Sequence, residues 1–228
     1  MTDQKIKTYD KIVIITDDGK DSRNTINLLN YLRSIDIDTE LYATRKKTSA
    51  KSNSISLKPI KIEVCGSINI LDGFPADCLL YHIFNKKEHI EKDVLFISGV
   101  NEHNHFGYGN YIGSTTSLLI LAKHFKINAL SMSAELELNG KFLKDIFDEI
   151  MIIHSRNPLN CYSFNINERR IEFNFSVPTT GLIDEYQEIN TVRGKHVCIS
   201  YKNNEKNCIV GSDIYFQSRR KNYYLEVI

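Results

Sequence analysis

The sequence predicts an α/β fold, in which a doubly wound, mostly parallel sheet is followed by a β-rich C-terminal extension. Three observations support this prediction. Short, apolar, β-branched runs alternate with amphipathic helical stretches up to about residue 153. These runs are apolar throughout, which is typical of strands buried on both faces of a parallel sheet. Beyond residue 158 the helical periodicity is lost, and short alternating strands replace it.

The first β-α-β unit is the clearest part of the pattern. Residues 11–16 (KIVIIT) predict a buried strand, and the turn at 17–19 (DDG) ends it. A helix follows around 26–32, where apolar residues recur at helical spacing, and a second strand is predicted at 39–43. Parallel sheets are built from such units, so we expect the rest of the sheet to extend from this one.

The remaining elements are predicted in the same way. Pro75 marks a helix start, because proline is favoured in the first helical turn. In chain order we expect a polar loop at 44–54, a hairpin within 55–71, a helix at 75–83, a strand at 93–98 closed by Gly99, a helix at 114–126, a strand at 129–133, a helix at 142–153, and strands at 162–166, 171–177, 197–201 and 223–228.

We predict a single domain over residues 1–228. Its Rossmann-like core covers about 11–153, and the extension covers about 158–228. The strands of the extension are short and aromatic, and by themselves they would leave unpaired sheet edges. We therefore expect the extension to take part in oligomerisation.

Composition excludes several classes of protein. Lys and Arg number 29 against 28 Asp and Glu, so the net charge of +1 gives no general attraction to nucleic acid. The chain has no apolar run of about 20 residues, and its polar start lacks the apolar stretch of a signal peptide. Its five cysteines include no CxxC pair, which argues against disulfides and structural zinc. We expect a cytoplasmic protein with reduced thiols, with neither a membrane nor dedicated nucleic-acid binding.

Polar turns follow three of the predicted strands, at 17–19, 48–54 and 98–101. Ligands of open parallel sheets bind beyond the carboxyl ends of the strands, where these turns would meet. Each turn has an ordinary interpretation by itself, because adjacent aspartates commonly cap a helix or stay solvated. Together they supply carboxylate, hydroxyl and amide oxygens, which suit Mg²⁺ or Mn²⁺ rather than zinc.

Two further features allow more than one interpretation. Ser114 and Thr115 open an apolar helix, where free N–H groups and hydroxyls would bind phosphate, but an ordinary N-cap explains them equally well. His103 and His105 could ligate a transition metal, but the neighbouring candidate ligands are all oxygens, so we expect a solvent or substrate contact. Dinucleotide binding is excluded because no GxGxxG follows the first strand.

Four short motifs resemble those of the SurE family. That family reads roughly N-D-D-G, R-S-G-x-S-N-S-x-T-L, G-T-P-x-D-C and S-G-I-N-x-G. The corresponding stretches here, in the same order and at close to the family spacing, are TDDG at 16–19, RKKTSAKSNSISL at 45–57, GFPADC at 73–78 and SGVN at 98–101. The resemblance extends to SVP at 176–178 and SD at 212–213, so it covers nearly the whole chain.

The resemblance implies a phosphoric monoester hydrolase that removes phosphate from nucleoside 5′-monophosphates, with one Mg²⁺ or Mn²⁺ per subunit. Carried over by motif, the metal ligands are Asp17, Asp18, Ser49 and Asn101, and Asp17 and Asp18 are the catalytic residues. Asp17 would orient water or act as a general base, with a covalent aspartyl-phosphate as the alternative. Family members form dimers partly by exchanging C-terminal arms, so a homodimer or homotetramer is expected.

Expected phosphate- and substrate-binding residues are Asn53, Ser114, Thr115, His105 and Tyr108. The last two lie in a loop that differs from the family pattern, and we expect them to set which phosphomonoester is preferred.

A basic side chain, Lys46 or Lys47, would stabilise charge during phosphoryl transfer. Thr16 and Ala50 replace a family asparagine and glycine. The family's H-A-P-G segment after the aspartates is DSRN at 21–24 here, and the residues after Asn101 also differ from the family pattern. These last two departures motivate an alternative function, a catalytically weak or inactive oligomer that binds metal and nucleotide.

Overall fold

The structure, a computed structural model, consists of alternating strands and helices. It describes residues 8–103, 113–156, 158, 162–167, 170–175, 185–191, 194–200 and 224–226. The strands are β1 Lys11–Thr16, β2 Asp38–Thr44, β3 Ile62–Cys65, β4 Ile68–Leu71, β5 Val94–Asn101, β6 Asn128–Ala134, β7 Tyr162–Asn167, β8 Arg170–Phe175, β9 Glu185–Thr191, β10 Gly194–Ser200 and β11 Tyr224–Glu226. The helices are α1 Arg23–Ser34, α2 Pro75–Tyr81 with a π-helical continuation His82–Lys86, α3 Glu88–Glu91, α4 Ser114–His124 and α5 Gly140–Arg156.

Nine of these strands form one sheet, in the order β11-β8-β7-β6-β5-β1-β2-β4-β3. The six strands from β7 to β4 run parallel, while β3, β8 and β11 pair antiparallel at the two edges. Strands β9 and β10 form a separate antiparallel pair. The predicted α/β class with a mostly parallel sheet is confirmed. The sheet does not stop at residue 153, since β7, β8 and β11 extend it.

Alternate residues of β1 point to opposite faces of the sheet, and they are apolar on both faces. Both faces are therefore covered by helices. Ile12 and Ile14 pack into a cluster with α1 and α5, and Val13 and Ile15 pack into another with α2 and α4. All four side chains are almost fully buried. Burial of such a side chain contributes about 1.5–3 kcal/mol, so these two clusters hold β1 at the centre of the molecule.

Strand β5 differs from its prediction. It continues through Gly99 to Asn101, with an irregular register against β6 between Ser98 and Asn101. Gly99 has φ +122°, and a Cβ at this position would clash with the backbone carbonyl oxygen of Met132. The glycine is therefore required by the close approach of β6, whereas the sequence pattern predicts that β5 ends there.

Strand β9 was not predicted, because its sequence EYQEINT has too few apolar residues to show a periodicity. No helix in the described part of the chain is both long and apolar enough to cross a membrane.

Candidate active site

The carboxyl ends of β2, β1 and β5 lie side by side, because β1 pairs with both of the other strands. Asp17 and Asp18 follow β1 directly, and Asn101 ends β5. Their exposed fractions are only 3%, 7% and 7%, respectively. Two carboxylates and an amide are thus held out of bulk water at one edge of the sheet.

Asp17 connects this edge to two other elements. Its backbone carbonyl accepts a hydrogen bond from the Thr48 N–H at 2.9 Å and lies 3.3 Å from Thr44 Oγ1, which also donates to the Lys46 carbonyl at 2.7 Å. Its carboxylate Oδ1 accepts a hydrogen bond from Thr115 Oγ1 at 3.3 Å. The loop after β2 and the first turn of α4 are therefore both bonded to one residue.

Ser114 fastens the same loop to the start of α4. Its Oγ donates to the Thr48 carbonyl at 3.1 Å and accepts from the Lys51 N–H at 3.3 Å. The hydroxyl hydrogen is thus committed to the loop. The backbone N–H groups of the first turn have no partner within the helix. They are therefore the hydrogen-bond donors that an anion can use at this end of the helix.

The turn after β1 has its own hydrogen bond. Thr16 Oγ1 accepts the backbone N–H of Asp18 at 3.2 Å, so the threonine that replaces the family asparagine holds the turn in shape.

The electrostatics of the aspartate pair are unusual. Burial raises the pKa of Asp17, and burial together with the charge of Asp17 raises the pKa of Asp18 to about 6. Within the described residues, Asp18 Oδ2 is buried without a hydrogen-bond partner. A buried carboxylate oxygen that lacks a donor is costly, and either a proton or a cation relieves that cost. The site therefore fits a divalent cation.

A basic side chain lies over the aspartates. Lys47 Nζ is 3.8 Å from Asp18 Oδ1 and donates a hydrogen bond to Glu102 Oε2 at 3.2 Å. Lys47 and Glu102 are both exposed, so this pair can rearrange when a ligand arrives.

Asn101 is oriented by its own loop. Its Nδ2 donates to the His103 carbonyl at 2.6 Å, which directs the amide hydrogens away and leaves Oδ1 as the atom that can ligate a cation.

The family model described as "Survival protein SurE" matches residues 12–204. The chain belongs to the SurE family. The family resemblance that the motifs carry is thereby confirmed.

Curated SurE relatives agree at low identity. The 5′-nucleotidase SurE of Caldanaerobacter subterraneus subsp. tengcongensis is 30% identical over 130 residues, which are 54% of this chain and 50% of that protein. The 5′-nucleotidase SurE of Thermoanaerobacter sp. (strain X514) is 29% identical over 153 residues, which are 62% of this chain and 60% of that protein. The matched stretch thus spans about half to three fifths of the length of these relatives.

A solved structure agrees in fold. The crystal structure of the SurE protein from Aquifex aeolicus is similar to this chain with a TM-score of 0.65 and 18% identity, covering 96% of this chain and 94% of that one. At this identity the likeness concerns the fold.

Some of the SurE motif residues lie close together in the structure. Asp17, Asp18 and Asn101 lie at the common edge, and Thr115 is bonded to Asp17. Ser49 is exposed and directly follows Thr48, and no described hydrogen bond joins it to either aspartate.

Asn53 lies in the same loop as Ser49, with its Oδ1 buried and lacking a hydrogen-bond partner among the described residues. His105 and Tyr108 fall within 104–112, outside the described residues.

The GFPADC motif has a structural role in this SurE chain. Asp77 accepts hydrogen bonds from the Phe74 N–H at 2.8 Å and from the N–H and Oγ of Ser56 at 2.9 and 2.7 Å. It therefore ties the end of the loop at 48–57 to the start of α2.

Two contacts of the site were missed from sequence. Thr44 Oγ1 contacts the Asp17 carbonyl at 3.3 Å, and Glu102 accepts a hydrogen bond from Lys47. The parallel register pairs Thr16 with Ala43, so the next residue on each strand, Asp17 and Thr44, must be neighbours. The pairing of β1 with β2 therefore predicts that Thr44 lies beside Asp17. No local signal marks Glu102.

Proposed function

We propose that this chain is a metal-dependent phosphomonoesterase that hydrolyses nucleoside 5′-monophosphates. The observation that carries the proposal is the buried Asp17–Asp18 pair, with one unpartnered carboxylate oxygen, next to the first turn of α4. Relatives named 5′-nucleotidase SurE support the same chemistry.

The residues that would hold one Mg²⁺ or Mn²⁺ are Asp17, Asp18, Ser49 and Asn101. All four offer oxygen atoms, which these hard cations prefer. A bound divalent ion neutralises charge on phosphate oxygens and lowers the pKa of water. Ser49, which is exposed, would join the set through a movement of its loop.

The chain supplies the rest of the chemistry. Backbone N–H groups in the first turn of α4 bind the phosphate oxygens, aided by the helix dipole. Lys47 turns from Glu102 to the phosphate and stabilises charge that develops during transfer. Thr115 fixes the Asp17 carboxylate, so that Asp17 accepts the proton of the attacking water.

Substrate preference would come from the loop that follows Asn101. We propose that Asn53 lies near the phosphate and that His105 and Tyr108 contact the rest of the nucleotide. If so, His105→Ala and Tyr108→Ala raise KM and change the ranking of substrates, while metal affinity stays unchanged.

The test is phosphate release from AMP, GMP and an aryl phosphate in the presence of Mg²⁺ or Mn²⁺. We expect metal-dependent release that Asp18→Asn abolishes. Asp21→Asn is the matched control, because Asp21 follows the same turn but is exposed to solvent. Failure of every substrate with both metals would contradict the proposal.

A second candidate is a weakly active or inactive oligomer that binds metal and nucleotide. One observation favours it, because Lys47 places a cationic group 3.8 Å from Asp18 and so competes with a metal. Metal and nucleotide binding without phosphate release in the same assay would support this candidate.

We further propose a cytoplasmic homodimer or homotetramer. Strands β9 and β10 form a two-stranded sheet of their own, which is marginally stable in water without further packing. A second copy of the chain would supply that packing. Of the cysteines described, Cys65 and Cys78 are free thiols, which fits a reducing compartment. Light scattering that shows a monomer at high concentration would contradict the oligomer.

A further inference from the structure

A second cluster of ionisable side chains lies at the opposite end of the sheet from Asp17. Lys11 begins β1 and Asp17 follows six residues later, a distance of about 20 Å along an extended strand. The cluster consists of Lys11, Glu40, His82 and Glu88. Its members come from β1, β2, the π-helical turn and α3, and the function proposed above uses none of them.

His82 is the central member. Its side chain is completely buried, and neither ring nitrogen has a hydrogen-bond partner in the described part of the chain. Nδ1 is 3.9 Å from Glu40 Oε2, and Nε2 is 3.9 Å from Glu88 Oε2. These distances exceed those of hydrogen bonds, so the imidazole is left unsatisfied in either charge state.

The aromatic surroundings fix the orientation of this ring. Tyr42 and Phe96 contact His82 edge-on, with ring centroids at 5.8 and 5.1 Å. The ring belongs to a π-helical turn, a local irregularity that is frequent at functional sites. Packing therefore holds the imidazole aimed at the two glutamates before any ligand arrives.

The spacing of the group suits a metal ion. One ligand atom from each of Glu40, His82 and Glu88 can be chosen so that all three lie within 4.8 Å of one another. Metal–ligand bonds of about 2.0–2.2 Å require ligand atoms somewhat closer than that, which small side-chain rotations provide. Glu88 is 27% exposed at its side chain and offers a path of entry.

Lys11 is the cation that the cluster already contains. Its Nζ lies 2.7 Å from Glu88 Oε2, 3.3 Å from Glu40 Oε2 and 3.8 Å from Asp38 Oδ2. Asp38 is more than half exposed, so the ammonium can turn toward it and leave the two glutamates. Lys11 and a metal ion would thus compete for the same carboxylates.

We propose that Glu40, His82 and Glu88 form a second metal site, for a divalent first-row transition ion such as Zn²⁺, with Lys11 as its internal competitor. An imidazole with two carboxylates favours such an ion over Mg²⁺, and three protein ligands leave a fourth position for water. The bound ion joins α3 to β2 and so stabilises this end of the sheet. This proposal does not depend on the proposed phosphatase activity.

The test uses the full-length Asp17→Asn, Asp18→Asn double variant, in which the candidate active site lacks its carboxylates. Zn²⁺ binding is measured by calorimetry, and Co²⁺ binding by visible ligand-field absorption. We expect one equivalent of either ion to bind, and Glu88→Gln to weaken binding at least about tenfold. Glu88 is partly exposed, so this variant should fold.

Lys11→Met distinguishes a metal site from an ion-pair network. Removal of the competing ammonium should tighten Zn²⁺ binding several-fold. Lys144→Met is the control for loss of a positive charge, because Lys144 pairs with Asp148 on α5 and with none of the three proposed ligands. The proposal is overturned if the double variant binds no Zn²⁺, if Glu88→Gln leaves its affinity unchanged, or if Lys11→Met weakens binding.

Discussion

Thr115 donates its hydroxyl hydrogen to Asp17 Oδ1 at 3.3 Å, so the first turn of α4 is bonded directly to a carboxylate at the end of β1. This contact gives Thr115 a defined role. It lowers the pKa of Asp17 against the effect of burial, which raises it. The residue therefore helps to keep Asp17 ionised and in a fixed orientation.

Thr115→Val tests this role with little change in shape. The buried oxygen of Asp17 loses its donor, so we expect Mn²⁺ affinity to fall about tenfold, corresponding to the loss of a hydrogen bond to a charged group. The affinity should partly recover at higher pH, because the pKa of Asp17 has moved further up. Ser117→Ala is the control, since among the described residues its hydroxyl donates to the Ser114 carbonyl within α4 and not to Asp17. Equal affinities for wild type and Thr115→Val would contradict the role.

The pKa of Asp18 predicts two pH dependences. Metal binding requires the ionised carboxylate, so Mg²⁺ or Mn²⁺ affinity should fall as the pH drops through about 6. The contribution of Asp18 to the stability of the metal-free protein should change in the opposite direction. Between about pH 4 and pH 6 the unfolded chain has lost the Asp18 proton while the native state keeps it, so this contribution falls as the pH rises.

Asp18→Asn should remove this pH-dependent loss in the free energy of unfolding, which is on the order of 2–3 kcal/mol. Urea unfolding with a chelator, compared at both ends of that pH range, measures it. The Asp18 contribution is the difference between wild type and Asp18→Asn, because His82, whose pKa burial lowers to about 4, changes stability in the opposite direction in both proteins. Equal pH dependences of the free energy of unfolding in the two proteins would exclude the raised pKa of Asp18.

Lys47 and Glu102 predict opposite changes in substrate affinity. Glu102→Gln releases the Lys47 ammonium from its ion pair, so KM for a phosphomonoester should fall a few-fold. Lys47→Met removes the charge and should raise KM about tenfold, a typical effect of losing a charged contact. It should not weaken metal binding, because it also removes a competing cation near Asp18. Lys46→Met tests the other basic candidate of the loop and should change KM less, because only Lys47 is paired with Asp18 and Glu102 among the described residues. Unchanged KM in both main variants would remove the Lys47–Glu102 pair from the mechanism.

Gly99→Ala should destabilise the protein by roughly 3 kcal/mol. The added Cβ would press on the backbone of Met132, and φ +122° is unfavourable for alanine. Gly66→Ala separates the two causes, because Gly66 also has positive φ, at +63°, but has open space around it. We expect Gly66→Ala to cost only about 1 kcal/mol. The two variants are compared by urea midpoint, and equal midpoints would show that steric contact at Gly99 is unimportant.

Much of the fold was predictable because its signals are local. The apolar run of β1, the helical spacing in α1 and the proline at the start of α2 each lie within a few consecutive residues. The order of the SurE motifs then indicated Asp17, Asp18 and Asn101 as candidate metal ligands. The contacts that complete the site are different, because Thr44 and Glu102 reach it only through strand pairing and loop closure.

The second cluster shows the same limit more strongly. Lys11, Glu40, His82 and Glu88 come from four separate elements, and no spacing in the chain marks them as neighbours. Only the parallel register of β1 and β2 and the packing of the π-helical turn bring them together. The boundary of β5 was missed for a related reason, because a glycine forced by contact with another strand cannot be distinguished by pattern from a glycine that ends one.

The hydrogen bonds of the loop after β2 have a kinetic consequence. The Thr48 and Lys51 amides are held by the Asp17 carbonyl and by Ser114 Oγ, so neither can exchange its hydrogen with solvent until those contacts break. Movement of the loop away from Ser114 also removes the two contacts of that side chain at the start of α4. The loop and the helix start should therefore open as one cooperative unit, with a shared protection factor, rather than as a loop that fluctuates over a static helix.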